Sequence, residues 1–233
     1  MRHFSKRDNL LCPLCSCSDV SLMHQSSKDP GPEYREFFHC GICDLVFVPS
    51  RFLISYTAEK KRYTEHNNDL YDEKYRNFLR KLYTPLRPYL KPGSKGLDYG
   101  SGPGPALATM MKEDGFNINL YDPFFHPIEI NLQTKYDFIT CSETAEHFRA
   151  PKVEFDKLQG MLKPNGWLGI MTGMLEEWSQ FPAWYYNRDP THIRFYSRKT
   201  MTWISKLYSW DLIFPGPNVT LFYKLGATSD YHN

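Results

Sequence analysis

No apolar run in this chain approaches the roughly 20 residues needed to cross a bilayer. The opening segment, MRHFSKRDNLL, lacks the apolar stretch and small-residue cleavage site of a secretory leader. A cytoplasmic location with no membrane partner is therefore expected. An excess of one charge is also missing, since 28 basic and 26 acidic residues leave a net charge of +2. That balance supplies no general attraction to nucleic acid or to an anionic lipid surface. Cysteine is almost absent after residue 43, where Cys141 stands alone. Internal repeats and low-complexity tracts are lacking as well. Aromatics, by contrast, are abundant at 16%, and hydrophobic residues reach 41%. This excludes a disordered chain and fits a globular one. A length of 233 residues suits one domain with a small appendage.

The remaining five cysteines lie within the first 43 residues. Cys12-Pro-Leu-Cys15 and Cys40-Gly-Ile-Cys43 form two C-x-x-C pairs with 24 residues between them. Each pair turns tightly enough to aim two thiolates at one ion, and two pairs complete a tetrahedral four-cysteine set of the structural zinc type. In a reducing compartment cysteines are metal ligands or free thiols before they are disulfides. Residues 1–50 contain no amphipathic helix long enough to make a core, and metal binding of about 10–16 kcal/mol would fold such a segment. A redox pair is the competing reading of one C-x-x-C. Cys17 is an alternative to Cys15 through C-x-C spacing, and is read here as a free thiol. Metal removal or Cys12→Ser is expected to unfold this front module while sparing much of the remainder.

A helical connecting region over 51–93 is expected next. Tyr71, Tyr75, Phe78, Leu79, Leu82 and Tyr83 share one helical face, with Pro85 and Pro88 limiting the helix. Over 94–233, strands at Gly96–Tyr99, Phe116–Leu120, Tyr136–Cys141 and Trp167–Thr172 alternate with helices at Pro105–Asp114 and Pro151–Leu162. Lys163-Pro164-Asn165-Gly166 reads as a turn. Ser197 would cap a helix burying Met201, Ile204 and Leu207. Trp210–Phe214 and Val219–Tyr223 read as a closing hairpin. Alternation of this kind predicts an α/β fold, a doubly wound, Rossmann-like, mostly parallel sheet with an antiparallel hairpin at one edge and the small four-cysteine zinc ribbon in front.

Within it, Leu97-Asp98-Tyr99-Gly100-Ser101-Gly102-Pro103-Gly104-Pro105 is a strand entering a glycine-rich turn before a helix. Proline at 105 disfavours the dinucleotide fingerprint, and no G-K-[ST] follows, which excludes a Walker A loop. Asp122 stands 22 residues after Gly100, beyond the next strand, where a carboxylate can accept bonds from both hydroxyls of a ribose. The residues LDYGSGPG, YDP, YDFITCSETAEHF, LKPNGW and DPTHIRFYS, in this order, resemble the class I S-adenosylmethionine-dependent methyltransferases. They resemble especially the group that includes ubiquinone-pathway O-methyltransferases and zinc-ribbon-bearing sugar C-methyltransferases. The resemblance covers roughly residues 60–225. It implies that Gly100, Ser101 and Gly102 line the methionine part of S-adenosylmethionine, that Asp98 lies near its ammonium, that Asp122 holds the ribose, and that Ser142–Glu143 passes beside the sulfonium. Exposed amides at a helix N-terminus plus carboxylates suit such a zwitterion with a vicinal diol. One departure stands out. Only 13 residues, Pro123–Lys135, separate Asp122 from the strand at Tyr136, where most relatives fit a helix, a strand and an adenine-contacting acid. A helix lost or reduced to a turn is expected, with Phe124 or Phe125 covering the base.

Methyl transfer needs a positioned acceptor and, for a hydroxyl or carbon acid, a base. His192, in Asp189-Pro190-Thr191-His192, and His147 are the candidate bases, with Glu143 beside them and Glu146, Tyr185 and Tyr186 behind. Packing against the following helix is the plain structural reading of His147. Arg62–Asn68 either folds over the cofactor, as such segments do in relatives, or is a solvated helix start. The reading preferred is methylation of a small-molecule acceptor, a sugar or secondary metabolite, at oxygen or carbon, with S-adenosylmethionine as cofactor and structural Zn2+ in the ribbon. An RNA methyltransferase gripping nucleic acid with its ribbon is an alternative, as is a non-catalytic binding protein that kept the fold. Residues 12–43 hold only Lys28 and Arg35 as Lys or Arg, against Asp19, Asp29, Glu33 and Glu36. That is few for binding driven by phosphate contacts.

Overall fold

The computed structural model describes residues 10–26, 34–65 and 69–226. Three strands open the chain: β1 (Val20–Gln25), β2 (Glu36–Cys40) and β3 (Val46–Phe47). The helix α1 (Tyr56–Thr64) follows, capped by the Ser55 hydroxyl, and then α2 (Glu73–Leu86), capped by Asp72. The α/β part runs β4 (Lys95–Tyr99), α3 (Ala106–Glu113), β5 (Asn117–Tyr121), β6 (Tyr136–Ser142), α4 (Pro151–Met161), β7 (Leu162–Met171), β8 (Arg194–Phe195), α5 (Arg198–Tyr208), β9 (Trp210–Gly216) and β10 (Val219–Lys224).

The main sheet has the order β5-β4-β6-β7-β10-β9. Its first four strands are parallel, and the closing hairpin adds β10 and β9 antiparallel. Alternation along β6 sends Phe138 and Ile139 to opposite faces. Phe138 joins Leu79, Leu82 and Leu86 of α2 and Met111 of α3, while Ile139 joins Phe155 and Leu158 of α4 and Ile204 of α5. Helices cover both faces, and β6 reads Tyr-Asp-Phe-Ile-Thr-Cys-Ser, with Asp137 and Ser142 half-buried toward its ends and the residues between them buried.

Several sequence expectations change in detail. Tyr71 lies before α2 and is 74% exposed, and Leu207 on α5 is 41% exposed, so neither helps to fill the core. The Lys163–Gly166 segment lies inside β7, with Asn165 at φ 61 and a register shift against β6. Between Asp122 and β6 there is no strand. An Asp122–His126 bridge and a 3-10 turn at Glu129–Gln133 fill the gap, which leaves β5 at the sheet edge. Among the described residues, no helix is long and apolar enough to cross a membrane.

The front module does not stand apart. Cys12, Leu14, Cys40, Cys43, Leu45 and Phe47 belong to the same buried cluster as Ile139, Phe155 and Ile204. The order β1-β2-β3-β8 brings a strand from the far end of the chain into the module's sheet, with Val46 opposite Phe195 and Phe47 opposite Arg194. That shared core ties the module to the α/β part, so metal removal is now expected to reach beyond the module. A segment without a helix of its own finds its apolar partners in the α/β part instead.

Candidate active site

At the carboxyl ends of the parallel strands, Gly100 and Gly102 adopt φ of 78° and 63°, which side chains resist. A Cβ on Gly100 would lie 2.2 Å from Thr144, whose hydroxyl donates to the Gly100 carbonyl at 3.2 Å. The turn is tied to β5 by Gly100 and Ser101 amides donating to the Tyr121 carbonyl at 2.8 and 3.2 Å. Asp122 completes this: its carboxylate accepts from the amides of Gly102 at 3.0 Å, Phe124 at 2.8 Å and Phe125 at 3.0 Å. The sequence placed glycine turn and acid side by side, and the structure brings them into direct hydrogen bonding. Ser101 also meets His126 Nδ1 at 3.2 Å.

Asp98 is buried beneath the turn, where it accepts from the Thr140 hydroxyl at 2.9 Å and from the Ala108 amide. Pro105 provides no side-chain cap for α3, and the Asp98 carboxylate lies near the amide of Ala108 in its first turn. Burial pushes its carboxyl up to about 6, against the two hydrogen bonds. Ser142, at the end of β6, has a buried hydroxyl without a hydrogen-bond partner. Such orphaned groups are rare in folded proteins, so this one fits a ligand atom beside the turn. Glu143 follows at φ 47°, a strained conformation of the kind that collects at functional sites. Burial, with Glu146 nearby, pushes its carboxyl up to about 9. Tyr75 of α2 faces Asp98 and Glu143, and burial pushes its phenol up to about 12.

A second group lies close to Glu143. Glu146 is fully buried and accepts from the Tyr186 hydroxyl at 2.6 Å and the Thr172 hydroxyl at 2.8 Å. His147 Nδ1 meets the Thr191 carbonyl at 2.9 Å, and His192 Nδ1 meets the Tyr186 carbonyl at 2.7 Å. A carbonyl oxygen only accepts, so each Nδ1 carries the hydrogen and each neutral ring keeps a lone pair on Nε2. The two rings lie 5.0 Å apart, and one donor atom from each of Glu146, His147 and His192 falls within 4.8 Å of the others. Burial lowers the His192 pKa, with Glu146 opposing it. The two histidines and Glu146 thus converge, whereas Tyr185 points away and is 72% exposed.

Helix α1 packs against these residues. Tyr63 packs against Phe124 at 5.7 Å and edge-on to His147 at 5.2 Å. Arg62 forks onto Asp189 at 2.8–3.0 Å, and Glu59 pairs with Arg149 at 2.8 Å. Burial would raise the Asp189 pKa, and the bonds from Arg62 and Thr191 hold it well below the usual carboxylate range instead. Of the sequence segment Arg62–Asn68, residues 66–68 lie outside those described. Phe124 meets Tyr56 and Tyr63 of α1, and Phe125 meets Phe124.

In the front module the two C-x-x-C turns are built alike. The amides of Ser16 and Asp44 donate to the carbonyls of Cys12 and Cys40 at 2.9 and 3.0 Å, and both residues take a positive φ. The sulfurs of Cys12, Cys15, Cys40 and Cys43 all lie within 4.8 Å of one another, with Cys12–Cys43 and Cys15–Cys40 at 3.5 Å. Zinc–sulfur bonds of about 2.3 Å in a tetrahedron need edges of roughly 3.8 Å, so these four thiols suit such an ion. Cys17 is 3.3 Å from Cys40 yet falls outside the mutually close set. Arg35 and Tyr75 are neighbours of the site that the sequence did not single out for it, and Tyr63 lies in the Arg62–Asn68 segment expected either to fold over the cofactor or to start a helix. Their contacts are long-range, and the aromatic character of the two tyrosines gave a local signal.

Residues 71–213 match the family described as Methyltransferase domain. Comparison with curated proteins gives no match. Among solved structures, the chain is similar to the 1,6-didemethyltoxoflavin-N1-methyltransferase of Burkholderia thailandensis, solved with 1,6-didemethyltoxoflavin and S-adenosylhomocysteine. The two share 13% identity over 80% of this chain and 98% of that one, with a TM-score of 0.50. It is also similar to an S-adenosylmethionine-dependent methyltransferase from Archaeoglobus fulgidus, at 18% identity over 65% of this chain and 100% of that one, with a TM-score of 0.46.

Proposed function

This chain belongs to the methyltransferase-domain family, and from that premise we propose that it moves the methyl group of S-adenosylmethionine to a small acceptor bearing a hydroxyl or an acidic carbon. The observation that carries this reading is the glycine turn hydrogen-bonded to Asp122 beside the unpartnered Ser142 hydroxyl. S-adenosylmethionine supplies a methyl group on a positively charged sulfur and leaves as a neutral thioether. The rest falls to the chain. Gly100 and Gly102, both at positive φ, shape a turn that presents backbone to the donor with Ser101 between them, and Asp122 keeps lone pairs for the ribose hydroxyls while it holds the turn. Asp98 supports the turn from below and supplies negative charge toward the donor's ammonium. Ser142 and Glu143 flank the sulfur, and Phe124 covers the base in place of the missing strand.

On the acceptor side, His192 and His147 each keep an Nε2 lone pair when neutral, so either can take the acceptor's proton as the carbon–oxygen or carbon–carbon bond forms. Glu146 stabilises the imidazolium that results. The aromatic wall of Tyr63, Tyr186 and Trp184 excludes water and suits a flat or ring-shaped acceptor. The ribbon gives little support to an RNA-binding reading. Arg35 is buried with its guanidinium committed to backbone carbonyls, and Lys28 lies outside the described residues. The four clustered thiols favour structural zinc, held by Cys12, Cys15, Cys40 and Cys43, with no position left open for chemistry. Transfer of tritium from methyl-labelled S-adenosylmethionine to members of a panel of phenols, sugars and short RNAs tests the proposal. Label in a phenol or sugar is expected, and label confined to RNA would overturn the small-acceptor reading.

Glu143 gives the donor site a pH signature. With its carboxyl raised to about 9, it is protonated at neutral pH in the free protein. A cationic sulfur alongside favours the ionised form, so binding releases a proton below that value. Affinity for S-adenosylmethionine should therefore climb with pH, by up to roughly tenfold per unit at its steepest, and level off above about 9. S-adenosylhomocysteine, which is neutral at sulfur, should show a shallower rise. Calorimetric titration between pH 6 and about 9.5 checks this. Glu143→Gln should flatten the slope, and an equal slope in that variant would remove Glu143 from the sulfur's neighbourhood.

A further inference from the structure

Arg35 precedes β2 in the cysteine module and is 7% exposed, with the ring of Phe37 lying 5.2 Å from its guanidinium carbon. The partners of that guanidinium are not acids. Nη1 donates to the carbonyls of Asp189 at 2.9 Å and His192 at 3.1 Å, and Nη2 donates to the carbonyl of Asn187. One planar fork thus gathers three carbonyls from the loop that carries His192. The next residues continue the attachment: the Val48 amide donates to the Ile193 carbonyl at 3.0 Å, and β3 pairs with β8. Asp44, directly after Cys43, accepts from Trp178 Nε1 at 3.2 Å and from the Ser197 hydroxyl that caps α5. The loop is therefore bounded on its outer side by the cysteine module, while on its inner side Thr191 and Tyr186 hold the two histidine rings through their carbonyls.

We propose that Arg35 is a positioning residue for His192, and that the cysteine module serves as the outer wall of the acceptor site rather than as a separate binding unit. This rests on the methyltransferase reading above. The physical reason is that a loop whose carbonyls are gathered by one rigid fork has a single low-energy shape. That shape sets the Tyr186 carbonyl, which in turn fixes the tautomer and plane of the His192 ring. A charge without a fork cannot do the same. An ammonium at this position keeps the positive charge but not the planar set of donors that satisfies three carbonyls together. Misplacing a reacting group by about 1 Å costs on the order of 100-fold in rate even when binding survives.

The test compares Arg35→Lys and Arg35→Ala with the wild-type full-length chain. Three quantities are read: thermal unfolding, S-adenosylmethionine affinity by calorimetry, and the proton NMR signal of the His192 Nδ1–H, assigned with His192→Gln. The buried bond to the Tyr186 carbonyl should make that proton slow to exchange and visible in the wild type. Arg35→Lys should unfold within a few degrees of the wild type and bind the donor within about twofold, yet lose or broaden the imidazole signal. With an acceptor in hand, its kcat should fall by about 100-fold. Arg35→Ala should show the same loss, with lower thermal stability. A sharp, unshifted His192 signal in a folded Arg35→Lys protein would overturn the proposal. A fall in donor affinity matching any fall in turnover would also overturn it, by showing a general structural role. If the wild type fails to bind S-adenosylmethionine, the methyltransferase reading falls instead, and the imidazole signal still reports whether Arg35 positions His192.

Discussion

Replacing His192 with alanine is expected to lower methyl transfer by about 100- to 10,000-fold, with S-adenosylmethionine affinity nearly unchanged. The ring sits with Nδ1 committed to the Tyr186 carbonyl at 2.7 Å, which leaves Nε2 as the group able to take a proton. Burial lowers its pKa, so the neutral, proton-accepting form persists below the ordinary histidine range of about 6.5. The sign follows directly. Activity should hold at neutral pH and fall as the pH drops through that lowered value, where the ring becomes an imidazolium and can no longer accept. The pH profile of kcat/KM in the wild type should show this acid limb, and His192→Ala should lose it along with most of the rate. A variant with wild-type turnover and an intact acid limb would move the base to His147, whose Nδ1 is held the same way by Thr191 at 2.9 Å.

Cys12→Ser should be the most damaging single change to stability. Structural zinc contributes on the order of 10–16 kcal/mol of apparent binding free energy to the segment that holds it. Here the four sulfurs are continuous with the core under α4 and α5, so the loss is not confined to the front of the chain. Without the metal, β3 loses its anchor, and β8 and the His192 loop lose the strand against which they pair. Thermal unfolding of reductively purified Cys12→Ser should show a midpoint lowered by about 10 °C or more, on the order expected when several kcal/mol are lost from a domain of this size. Metal analysis should find one zinc per chain in the wild type and less in the variant. Metal-free wild-type protein with the same midpoint would contradict a four-cysteine zinc site.

The parts of this molecule legible in the sequence are those written locally. The glycine turn shows itself because only residues tolerant of positive φ occupy Gly100 and Gly102. The cysteine pairs show themselves by a spacing that few other structures need, and the strands β4, β6 and β7 by short apolar stretches that alternate with helical segments. The short stretch after Asp122 was legible for a simpler reason, since 13 residues cannot hold a helix and a strand. What escaped was written across distance. Arg35 and His192 are 157 residues apart, and no local pattern marks a guanidinium that will collect carbonyls. Phe47 and Arg194 pair as two-residue strands, too short for any alternation to reveal. The charge of Asp98 reads as a contact for a ligand, while in the fold its carboxylate is also buried under the turn and held by the Thr140 hydroxyl. The histidines were found by chemistry but not their arrangement, because the carbonyls that orient them belong to Thr191 and Tyr186, far from His147 in sequence or hidden by backbone geometry.

The measurement that bears most directly on the donor site is calorimetric titration of the purified chain with S-adenosylmethionine, set beside Asp122→Ala. Asp122 both offers lone pairs to a ribose and keeps Gly102 in place, so its loss should cost about 2–3 kcal/mol of binding, or roughly 30- to 150-fold in affinity. The expected result is one donor bound per wild-type chain, with a weakening of that size in the variant while both proteins remain folded. A wild-type chain that takes up no S-adenosylmethionine, or an Asp122→Ala chain that binds it equally well, would contradict the cradle formed by the glycine turn and its acid.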